Sequence, residues 1–444
     1  MSDLATSFDA HLRIQKQRAD TALAATGFES LAIYAGAPRM LFLDDHPYPF
    51  KVNPHFKLWA PVLDAPESWI LYQPGKPLRM VFLQPNDYWH KPPALPSEFW
   101  TSHYSFEVIR EGAQARSHLS SLPRCAFIGE WQENFADWGF GARNPEDLLH
   151  RLHYPRAVKT DYEIECIRRA SKRAAQGHIA AERAFRAGGS EYDIHMDYLR
   201  ASAQTDTDLP YSNIVALNEN AAVLHYQYQQ RRSPAQRRSF LIDAGAQYNG
   251  YASDVTRTHS AAADDFAAMV RAMDELQLEL CDQVRSGVDY ASIHLDSHRR
   301  IGKVLRDTGV IKVSGDDAVA SGLSSVFFPH GIGHLLGLQV HDVAGFSVNA
   351  EGRQKARPEG HPYLRLTRTL EPGVVVTIEP GLYFIDALLS EARNSAHARN
   401  IDWPQVDRFR PYGGIRVEDN VVCTAGTPEN LTRPQFAAAL SSAS

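Results

Sequence analysis

The stretch SFLIDAGAQYNGYASDVTRT, residues 239–258, decides the fold of the second half of this chain. Its apolar run 240–242 is typical of a buried strand, which ends by presenting Asp243. A glycine-containing turn follows, and residues 252–258 predict the returning strand, so Asp243 and Asp254 should face each other across a β-hairpin. A surface hairpin is the alternative for either aspartate alone. Because a buried aspartate needs a cation or hydrogen-bond donors, the pair favours a ligand site.

A second segment, FFPHGIGHLLGLQVHD at residues 327–342, contains His330, His334 and His341. Its glycines disfavour a regular helix and allow the backbone to approach a ligand closely. The segment therefore predicts a loop that sets histidines around a cavity. It has neither the HExxH pattern nor a zinc-finger spacing. A lone histidine is more often a satisfied polar group, but three in this setting favour a site.

Two further segments present glutamates on strands. In VVVTIEPGLYF, residues 374–384, Glu379 follows a buried run and precedes Pro-Gly. In GGIRVEDN, residues 413–420, Arg416 and Glu418 are two residues apart. They are expected to share one strand face, where the guanidinium can orient the carboxylate. A solvated turn residue is the alternative for a glutamate before Pro-Gly.

Together these segments supply the ligand set of a two-metal hydrolase. The five ligands are Asp243, Asp254, His334, Glu379 and Glu418. Oxygen-rich ligation with one histidine favours Mn²⁺, Co²⁺ or Zn²⁺ over copper or an iron–sulfur cluster. A two-metal centre generates a hydroxide at neutral pH and stabilises an oxyanion, which is the machinery of amide or ester hydrolysis.

The whole-chain composition favours a soluble cytoplasmic enzyme. The chain has 444 residues, a formal net charge of -6 and a pI near 6.3. It therefore has no bulk attraction to nucleic acid or to anionic membranes, and we expect neither partner. The amino-terminal sequence does not read as a signal peptide, and no run is long enough to span a bilayer. The four cysteines are never spaced as CxxC, so inert buried thiols are expected.

Length and patterning predict two domains, residues 1–155 and 156–444. The first has short apolar runs between turns and is expected to be a small α/β domain. Its stretch DDHPYPFKVNPHFKLW, residues 44–59, is rich in aromatic residues and proline, which favours an ordered loop over a helix. Thr160 and Glu163 have capping-box spacing and predict a helix start. Helices and strands then alternate, as in an α+β catalytic domain.

The order of the five ligands and their flanks, DAG, PHGIGH, TIEPGLYF and GGIRVEDN, resembles the pita-bread metallopeptidases. Within them the chain is most similar to the bacterial Xaa-Pro dipeptidases, or prolidases, close to the organophosphorus acid anhydrolase subgroup. The resemblance extends over the full chain, since residues 44–59 and DYWHKPP at residues 87–93 also look like that subgroup.

This resemblance implies a fold, a reaction and an assembly. The fold is a small amino-terminal α/β domain, which serves dimerisation and pocket closure, before a pita-bread catalytic domain. The reaction is the hydrolysis of Xaa-Pro dipeptides. The family uses two divalent ions per subunit, usually Mn²⁺, and forms homodimers.

The resemblance also implies roles for the ligands. Asp243 resembles a ligand of one metal, and Asp254 and Glu418 resemble the ligands that both metals share. His334 and Glu379 complete the shell of the first metal. Glu379 additionally resembles the group that takes and returns protons around the attacking hydroxide.

Other residues are implied at the substrate. His330 and His341 match the histidines that polarise the scissile carbonyl or protonate the leaving proline nitrogen. His225, in NENAAVLHYQY, matches a further pocket histidine. Arg365, in YLRLTRTLEPG, corresponds to the arginine that grips the proline carboxylate, which a guanidinium fork matches in geometry.

Four more residues are implied around the pocket. Tyr211 and Tyr290 resemble pocket-wall tyrosines. Asp45 resembles a first-domain residue that reaches the partner subunit's site and meets the substrate's ammonium group. Arg416 is expected to support the ligand carboxylates from behind.

Three alternatives remain at this stage. An aminopeptidase P or methionine aminopeptidase would act on longer peptides with the same scaffold. A non-catalytic pita-bread module would bind protein or RNA, but such modules typically lose ligands. A creatinase-like hydrolase would work without metal, which the intact ligand set disfavours. Hydrolysis of organophosphorus esters is expected as a side reaction of the subgroup.

Overall fold

The computed structural model describes residues 4–441. Contacts divide these residues into two compact units. The first comprises residues 4–156, 160–163 and 349–353, and the second comprises residues 157–159, 164–348 and 354–441.

One mixed sheet organises the first unit. Its strands are β1 (Ser30–Tyr34), β2 (Trp69–Tyr72), β3 (Leu78–Leu83), β4 (Tyr104–Ile109), β5 (Cys125–Ile128) and β6 (Ala142–Arg143). The strand order is β4-β3-β2-β1-β5-β6, with antiparallel pairs β1–β2 and β2–β3 and parallel pairs elsewhere. Every residue of β1, β2 and β5 is buried, as expected for strands that are covered on both faces.

Helices accompany this sheet. They are α1 (Leu4–Thr26), α2 (Pro54–Trp59), α3 (Ala115–Leu119) and α4 (Glu146–Arg156). Helix α2 corrects the prediction that residues 44–59 form only a loop. The Asn53 side chain accepts a hydrogen bond from the backbone N–H of His55 at 2.9 Å, and Pro54 occupies the first helical position. An amide cap followed by proline is a helix start signal, which the aromatic and proline content of the stretch obscured.

The second unit contains most of the remaining helices and all of the remaining strands. The helices are α5 (Asp161–Ala187), whose first turn belongs to the first unit, then α6 (Glu191–Ser202), α7 (Asp265–Cys281), α8 (Tyr290–Asp307), α9 (Gly315–Ala320), α10 (Ser324–Phe327), α11 (Asp386–Arg393), α12 (Trp403–Phe409) and α13 (Arg433–Ser441). The strands are β7 (Ile214–Leu217), β8 (Ser239–Asp243), β9 (Gln247–Tyr248), β10 (Tyr251–Ala252), β11 (Thr256–Ser260), β12 (Val375–Ile378), β13 (Gly381–Tyr383), β14 (Gly414–Arg416), β15 (Asp419–Val422) and β16 (Glu429–Asn430). Helix α5 starts where the capping box predicts, with Glu163 accepting from the backbone N–H of Thr160 at 2.9 Å.

Small antiparallel sheets carry the ligand segments. Strands β11-β8-β7 form one sheet, β12-β15-β16 a second, and β9–β10 and β13–β14 pair separately. Helices α7 and α8 pack with β12 and β14 around a large apolar core that includes Met269, Met273 and Ile301. Each strand that precedes a predicted ligand is therefore anchored in packed apolar structure, which fixes the position of the residue that follows or ends it.

Two predicted strands are interrupted in the structure. The returning strand expected over residues 252–258 is split into β10 and β11, so Asp254 lies in the irregular step between them, and Thr256 is the residue opposite Asp243. The strand expected through Arg416 and Glu418 ends at Arg416, and Glu418 makes an isolated bridge with Thr256. Such interruptions re-aim side chains, and here they bring carboxylates towards Thr256.

Within residues 4–441, none of the helices combines the length and apolar character that crossing a membrane requires.

Candidate metal centre

The first part of the site joins two aspartates through a tyrosine. Strand β8 ends at Asp243, and the Tyr211 hydroxyl lies 2.7 Å from Asp243 Oδ1 and 2.5 Å from Asp254 Oδ1. One hydroxyl has one proton, so it donates to one carboxylate at a time. The two predicted ligands are therefore brought together, and Tyr211 holds them there.

The second part adds an imidazole and a glutamate. His334 Nδ1–H donates to the Leu335 carbonyl at 3.0 Å, which leaves Nε2 as the nitrogen with a free lone pair. This Nε2 atom lies 3.4 Å from Asp254 Oδ2 and 3.6 Å from Glu379 Oε1. Glu379 directly follows the fully buried strand β12. The tautomer and the position of His334 both suit a metal ligand.

The third part is a buried glutamate and its supports. Thr256 Oγ1–H donates to Glu418 Oε2 at 2.7 Å. Arg416 donates from Nη2 to Asp243 Oδ2 at 2.8 Å and from Nε to Thr256 Oγ1 at 3.3 Å. Arg416 is buried, so its guanidinium contributes positive charge and direction at the back of the ligand set. We call Asp243, Asp254, His334, Glu379 and Glu418 the carboxylate centre.

Burial and mutual repulsion govern the charges of the carboxylate centre. Burial, with the neighbouring aspartates, raises the pKa of Glu379 to about 7, against the opposing effect of His334. Burial and the adjacent carboxylates raise the pKa of Glu418 well above its ordinary value, and burial raises that of Asp243 despite Arg416. Burial would also raise the pKa of Asp254, but the contacts from His334 and Tyr211 outweigh it. Neighbouring carboxylates also outweigh burial at His334 and raise its pKa.

These residues suit divalent cations. Glu418 Oε1 is buried and, among the residues that the structure describes, has no hydrogen-bond partner. Such an atom is costly to bury unless an ion or water satisfies it. Ligand atoms of Asp254, His334 and Glu418 all lie within 4.8 Å of one another. Clustered carboxylate oxygens with one imidazole are the donors that Mn²⁺, Co²⁺ and Zn²⁺ accept.

Of the predicted catalytic histidines, His330 is half-buried and His341 is exposed. His330 donates from Nδ1 to the Gly331 carbonyl at 2.8 Å, and its Nδ1 is 4.0 Å from Glu379 Oε2. The ring of His341 packs edge-on against that of His334, with centroids 4.4 Å apart. Burial, with nearby positive charge, lowers the pKa of His330 to about 3. His341 keeps an exposed surface, but the surrounding protein still removes enough water from its ring, and His334 and Arg365 add enough positive charge, to lower its pKa to about 3 as well. Both imidazoles are therefore neutral at pH 7 and can donate only one proton each.

Two predicted substrate residues lie close enough to His330 and His341 to affect their pKa values. His225 and Arg365 are exposed, and each contributes to lowering the pKa values of His330 and His341. Over residues 4–441 the structure contains no ion pair of Arg365, so its guanidinium is available to an anion. Asp45 is an exposed residue of the first unit.

Tyr290 has a different environment from the one expected of a pocket wall. It is fully buried as the first residue of α8, and its hydroxyl donates to the Thr377 carbonyl at 2.7 Å. Gly333, with φ of +155°, lies directly against this hydroxyl, and a Cβ there would collide with it and with the Thr377 carbonyl. Tyr290 thus supports strand β12, whose end carries Glu379.

Two parts of the chain match known protein families. Residues 6–154 match the family described as Xaa-Pro dipeptidase, N-terminal domain, and residues 165–425 match metallopeptidase family M24. The chain belongs to the Xaa-Pro dipeptidase branch of metallopeptidase family M24. As a member of this family it is a metallopeptidase, and so a hydrolase.

Relatives in this branch cover the chain almost completely. The Xaa-Pro dipeptidase of Xanthomonas axonopodis pv. citri (strain 306) is 51% identical over 441 residues, which cover 98% of this chain and 99% of the relative. The Xaa-Pro dipeptidase of Stenotrophomonas maltophilia (strain R551-3) is 52% identical over 431 residues, which cover 97% of each.

Solved structures of related enzymes share the fold. Pseudomonas aeruginosa aminopeptidase PepP superposes with a TM-score of 0.71 at 23% identity and covers 97% of this chain and 99% of its own. Aminopeptidase P from E. coli with the inhibitor Pro-Leu gives 0.71 at 22% identity with the same coverage. The α+β prediction, a pita-bread domain after a smaller α/β domain, is confirmed.

Sequence reasoning missed the connection between Arg416 and His330. Arg416 Nη1 donates to the Tyr383 hydroxyl at 2.8 Å, and that hydroxyl lies 2.9 Å from His330 Nε2. Because Nδ1 of His330 carries the proton, the tyrosine donates to Nε2. Tyr383 lies in the quoted segment TIEPGLYF, but its role depends on the pairing of β13 with β14, which aligns Gly381 with Arg416. No sequence signal reveals that pairing.

Proposed function

We propose that this chain hydrolyses Xaa-Pro dipeptides at the carboxylate centre, with two divalent ions per subunit. The observation that carries the proposal is the grouping of ligand atoms of Asp254, His334 and Glu418 within 4.8 Å of one another, with Glu418 Oε1 lacking a hydrogen-bond partner among the described residues. Glu379 lies 3.6 Å from His334, and Tyr211 joins Asp243 to Asp254. The relatives named Xaa-Pro dipeptidase, about half identical over nearly the whole chain, support the substrate class. Mn²⁺ is the expected metal, with Co²⁺ or Zn²⁺ as alternatives.

The ions would be held by Asp243, Asp254, His334, Glu379 and Glu418, with Asp254 and Glu418 shared between them. Bound there, the ions would supply an activated water at neutral pH and would stabilise negative charge on the peptide carbonyl oxygen.

The chain's own residues position the reacting groups and move the protons. The Glu379 carboxylate takes a proton from the attacking water and returns it, as a half-buried carboxylate beside the site can. Arg416 donates to the Asp243 carboxylate and fixes its orientation. It also donates to the Tyr383 hydroxyl, which in turn fixes the orientation of His330. We assign His330 and His341 to the scissile peptide. His341 donates its N–H to the carbonyl oxygen or to the leaving proline nitrogen, and His330 does so only when its N–H exchanges the Gly331 carbonyl for the substrate. His225 adds a further histidine at the pocket.

Selection of a dipeptide requires recognition of both ends. Arg365 is exposed and, within the described part of the chain, without an ion pair, so we assign it to the substrate's proline carboxylate. Tyr211 and Tyr290 shape the pocket indirectly, because the former holds two carboxylates and the latter supports the strand before Glu379.

We also propose a homodimer in which Asp45 reaches the partner's pocket and meets the substrate ammonium. The first unit exposes large apolar side chains in two loops, which supports a protein contact there. Their exposed fractions are Phe42 88%, Leu43 90%, Tyr88 87% and Trp89 78%. In this arrangement residues 1–155 serve dimerisation and pocket closure, and residues 156–444 carry the chemistry.

Two further properties belong to the same proposal. The enzyme acts in the cytoplasm, where it recycles proline from peptides. Its hydrolytic centre also attacks organophosphorus triesters and fluoridates as a side reaction, to an extent that depends on pocket dimensions.

A panel of peptides tests the substrate class. The full chain, stripped with chelator and restored with Mn²⁺, should hydrolyse Ala-Pro, with little turnover of Ala-Ala or Ala-Pro-Ala. Equal turnover of the tripeptide would indicate an aminopeptidase P-like enzyme instead. Activity that is indifferent to metal would refute the proposal.

Substitution of Arg365 tests how length is selected. Loss of a charge-assisted hydrogen-bonded pair costs about 1.5–3 kcal/mol, so Arg365→Met should lower kcat/KM for Ala-Pro roughly tenfold to a hundredfold, mainly through KM. Arg306→Met, which removes an exposed arginine on α8, is the matched control and should leave kcat/KM unchanged. An unchanged KM in Arg365→Met would remove this arginine from the substrate site.

A further inference from the structure

Three histidines outside the carboxylate centre form a second cluster. His294 and His298 lie one helical turn apart on α8, and His361 belongs to the segment between α10 and β12, four residues before Arg365. The ring centroids are 4.7 Å apart for His294 and His298, 4.6 Å for His294 and His361, and 4.7 Å for His298 and His361. We call them the histidine triad. Its potential ligand atoms lie within 4.8 Å of one another.

The histidine triad contains nitrogen atoms that the protein does not satisfy. Nδ1 of His294 and Nε2 of His298 are buried and lack hydrogen-bond partners among residues 4–441. His298 Nδ1 is bonded to Ser324 Oγ at 2.9 Å. When the serine oxygen accepts this bond, the tautomer is fixed and Nε2 keeps a free lone pair, the usual arrangement behind a metal-binding histidine.

Hydrogen bonding within the histidine triad explains only part of this arrangement. His294 Nε2 lies 2.9 Å from His361 Nδ1, a normal hydrogen-bond distance. That bond leaves the two other buried nitrogens unpaired, which is unfavourable unless an ion or water satisfies them. Zn–N bonds of about 2.1 Å in tetrahedral geometry separate ligand nitrogens by about 3.4 Å. The nitrogens of His294 and His361 that lie 2.9 Å apart would therefore need to separate by about half an ångström to bind one ion together.

The protonation state of the histidine triad favours metal ligation. Burial, reinforced by the neighbouring histidines, lowers the pKa of His294 to about 2 and that of His298 to about 3, and burial lowers the pKa of His361. Neutral imidazoles offer lone pairs to a metal without first losing protons. The ring of Phe328 lies between this cluster and His330, since its centroid lies 4.7 Å from that of His298 and 4.8 Å from that of His330.

We propose that His294, His298 and His361 bind a divalent transition-metal ion that prefers nitrogen ligands, and we expect this ion to be Zn²⁺. Imidazole ligands select Zn²⁺, Ni²⁺ or Cu²⁺, whereas Mn²⁺ prefers the oxygen-rich carboxylate centre. The spacing His294-Leu295-Asp296-Ser297-His298 has no glutamate after the first histidine, so the ion has no general base of the HExxH kind. Its role is structural: it fastens the segment before Arg365 to helix α8.

The test measures Zn²⁺ binding where the carboxylate centre is disabled. In the full-length Asp254→Asn/His334→Ala variant, equilibrium dialysis against Zn²⁺ alone should show about one bound equivalent per chain. Adding His298→Asn or His361→Asn should abolish this binding at the same zinc concentration. Adding His397→Asn, at a half-buried histidine outside the histidine triad, is the matched control and should retain it.

A second readout keeps the test decisive if a buried variant folds poorly. Far-UV circular dichroism first verifies the fold, and His361→Asn is the milder change because His361 is only half-buried. Zn²⁺ should slow hydrogen exchange of residues 356–363 in the parent variant and not in His361→Asn. Zinc binding that survives loss of any histidine of the triad, or no zinc binding in the parent variant, would overturn the proposal. Either result would leave dipeptide hydrolysis at the carboxylate centre unaffected.

Discussion

The carboxylate centre and the histidine triad lie in the same unit and respond to burial in opposite ways. Burial raises the pKa values of Glu379 and Glu418, because it penalises their negative charge. Burial lowers the pKa values of His294 and His298, because it penalises the positive charge of an imidazolium. In both clusters the buried environment favours the neutral form.

Metal is required at the carboxylate centre and is optional at the histidine triad. The carboxylate centre must be ionised to act on a peptide bond, so it needs cations to offset the repulsion between its carboxylates. The histidine triad is neutral without an ion, so the fold tolerates it in either state. We therefore expect activity to depend on the carboxylate centre alone, and metal-dependent local stability to arise at both.

The largest expected effect is the loss of activity when the carboxylate centre loses one charge. Glu418→Gln keeps the volume and the bond from Thr256 but removes the carboxylate that we propose both ions share, and it should lower kcat at least about a thousandfold. Asp243→Ala should likewise abolish turnover while the far-UV circular dichroism stays native. The measurement is the initial rate on Ala-Pro with saturating Mn²⁺. Glu391→Gln, an exposed glutamate on α11, is the control and should keep full activity; a similar loss there would discredit the assignment.

A smaller effect on kcat is expected when a residue that supports the carboxylate centre is replaced, and none when a residue that supports the histidine triad is replaced. Arg416 donates to Asp243, Thr256 and Tyr383, a geometry that one ammonium group cannot reproduce. Arg416→Lys should therefore lower kcat by about 10–100-fold, the usual cost of losing an outer hydrogen-bond partner of a metal ligand. Ser324→Ala, at the histidine triad, should leave kcat on Ala-Pro unchanged. A comparable fall in both variants would show that the clusters act as one site.

Stability without metal should change in the opposite direction from activity. In chelator-stripped protein, Glu418→Gln removes a buried carboxylate that its neighbours repel, so the free energy of unfolding should rise by about 1–2 kcal/mol. In Mn²⁺-loaded protein the same variant should be less stable than the parent, because it has lost a ligand. Urea denaturation of both forms provides the values. Destabilisation in the stripped form would contradict the repulsion inferred here.

The candidate ligands could be predicted from the sequence, but the geometry between them could not. Asp243 and Glu379 end apolar strands, and that pattern is local, so their positions could be predicted. Asp254 and Glu418 lie where strands break, beside Thr256, and the breaks result from packing between distant segments. The contacts of Tyr211 similarly join residues 32 and 43 positions apart.

The histidine triad shows the same limit. His294 and His298 have the spacing of neighbours on one helix face, a signal visible in the sequence. His361 lies 67 positions from His294, and nothing local indicates that they meet. Helix α2 is the reverse case, since the Asn53-Pro54 start was visible but the aromatic content around it indicated a loop.

The smallest expected effect concerns a buried histidine outside both clusters. His178 Nε2–H donates to the Ala244 carbonyl at 2.9 Å, and burial lowers the pKa of His178 to about 3. The unfolded chain therefore takes up this proton below pH 6.5 while the folded protein does not, so stability is present at neutral pH and falls as the pH decreases. His178 should contribute about 1 kcal/mol of that loss between pH 7 and pH 5.5.

The variant His178→Gln, which keeps a donor for Ala244, should remove that contribution and flatten the pH dependence of the unfolding free energy. His397→Asn, at a half-buried histidine, is the control and should leave the slope unchanged. If His178→Gln leaves the slope unchanged, burial alone does not lower histidine pKa values in this unit, and the low values in the histidine triad would come from its members' proximity.

The central claim is that the carboxylate centre works only when cations offset its charge. Titration of the stripped full-length chain with Mn²⁺, with bound metal and Ala-Pro hydrolysis followed together, tests this most directly. We predict no activity without metal and full activity as about two equivalents of Mn²⁺ bind per chain. Full activity in metal-free protein, or Mn²⁺ binding that persists unchanged in the Asp254→Asn/His334→Ala variant, would contradict the account.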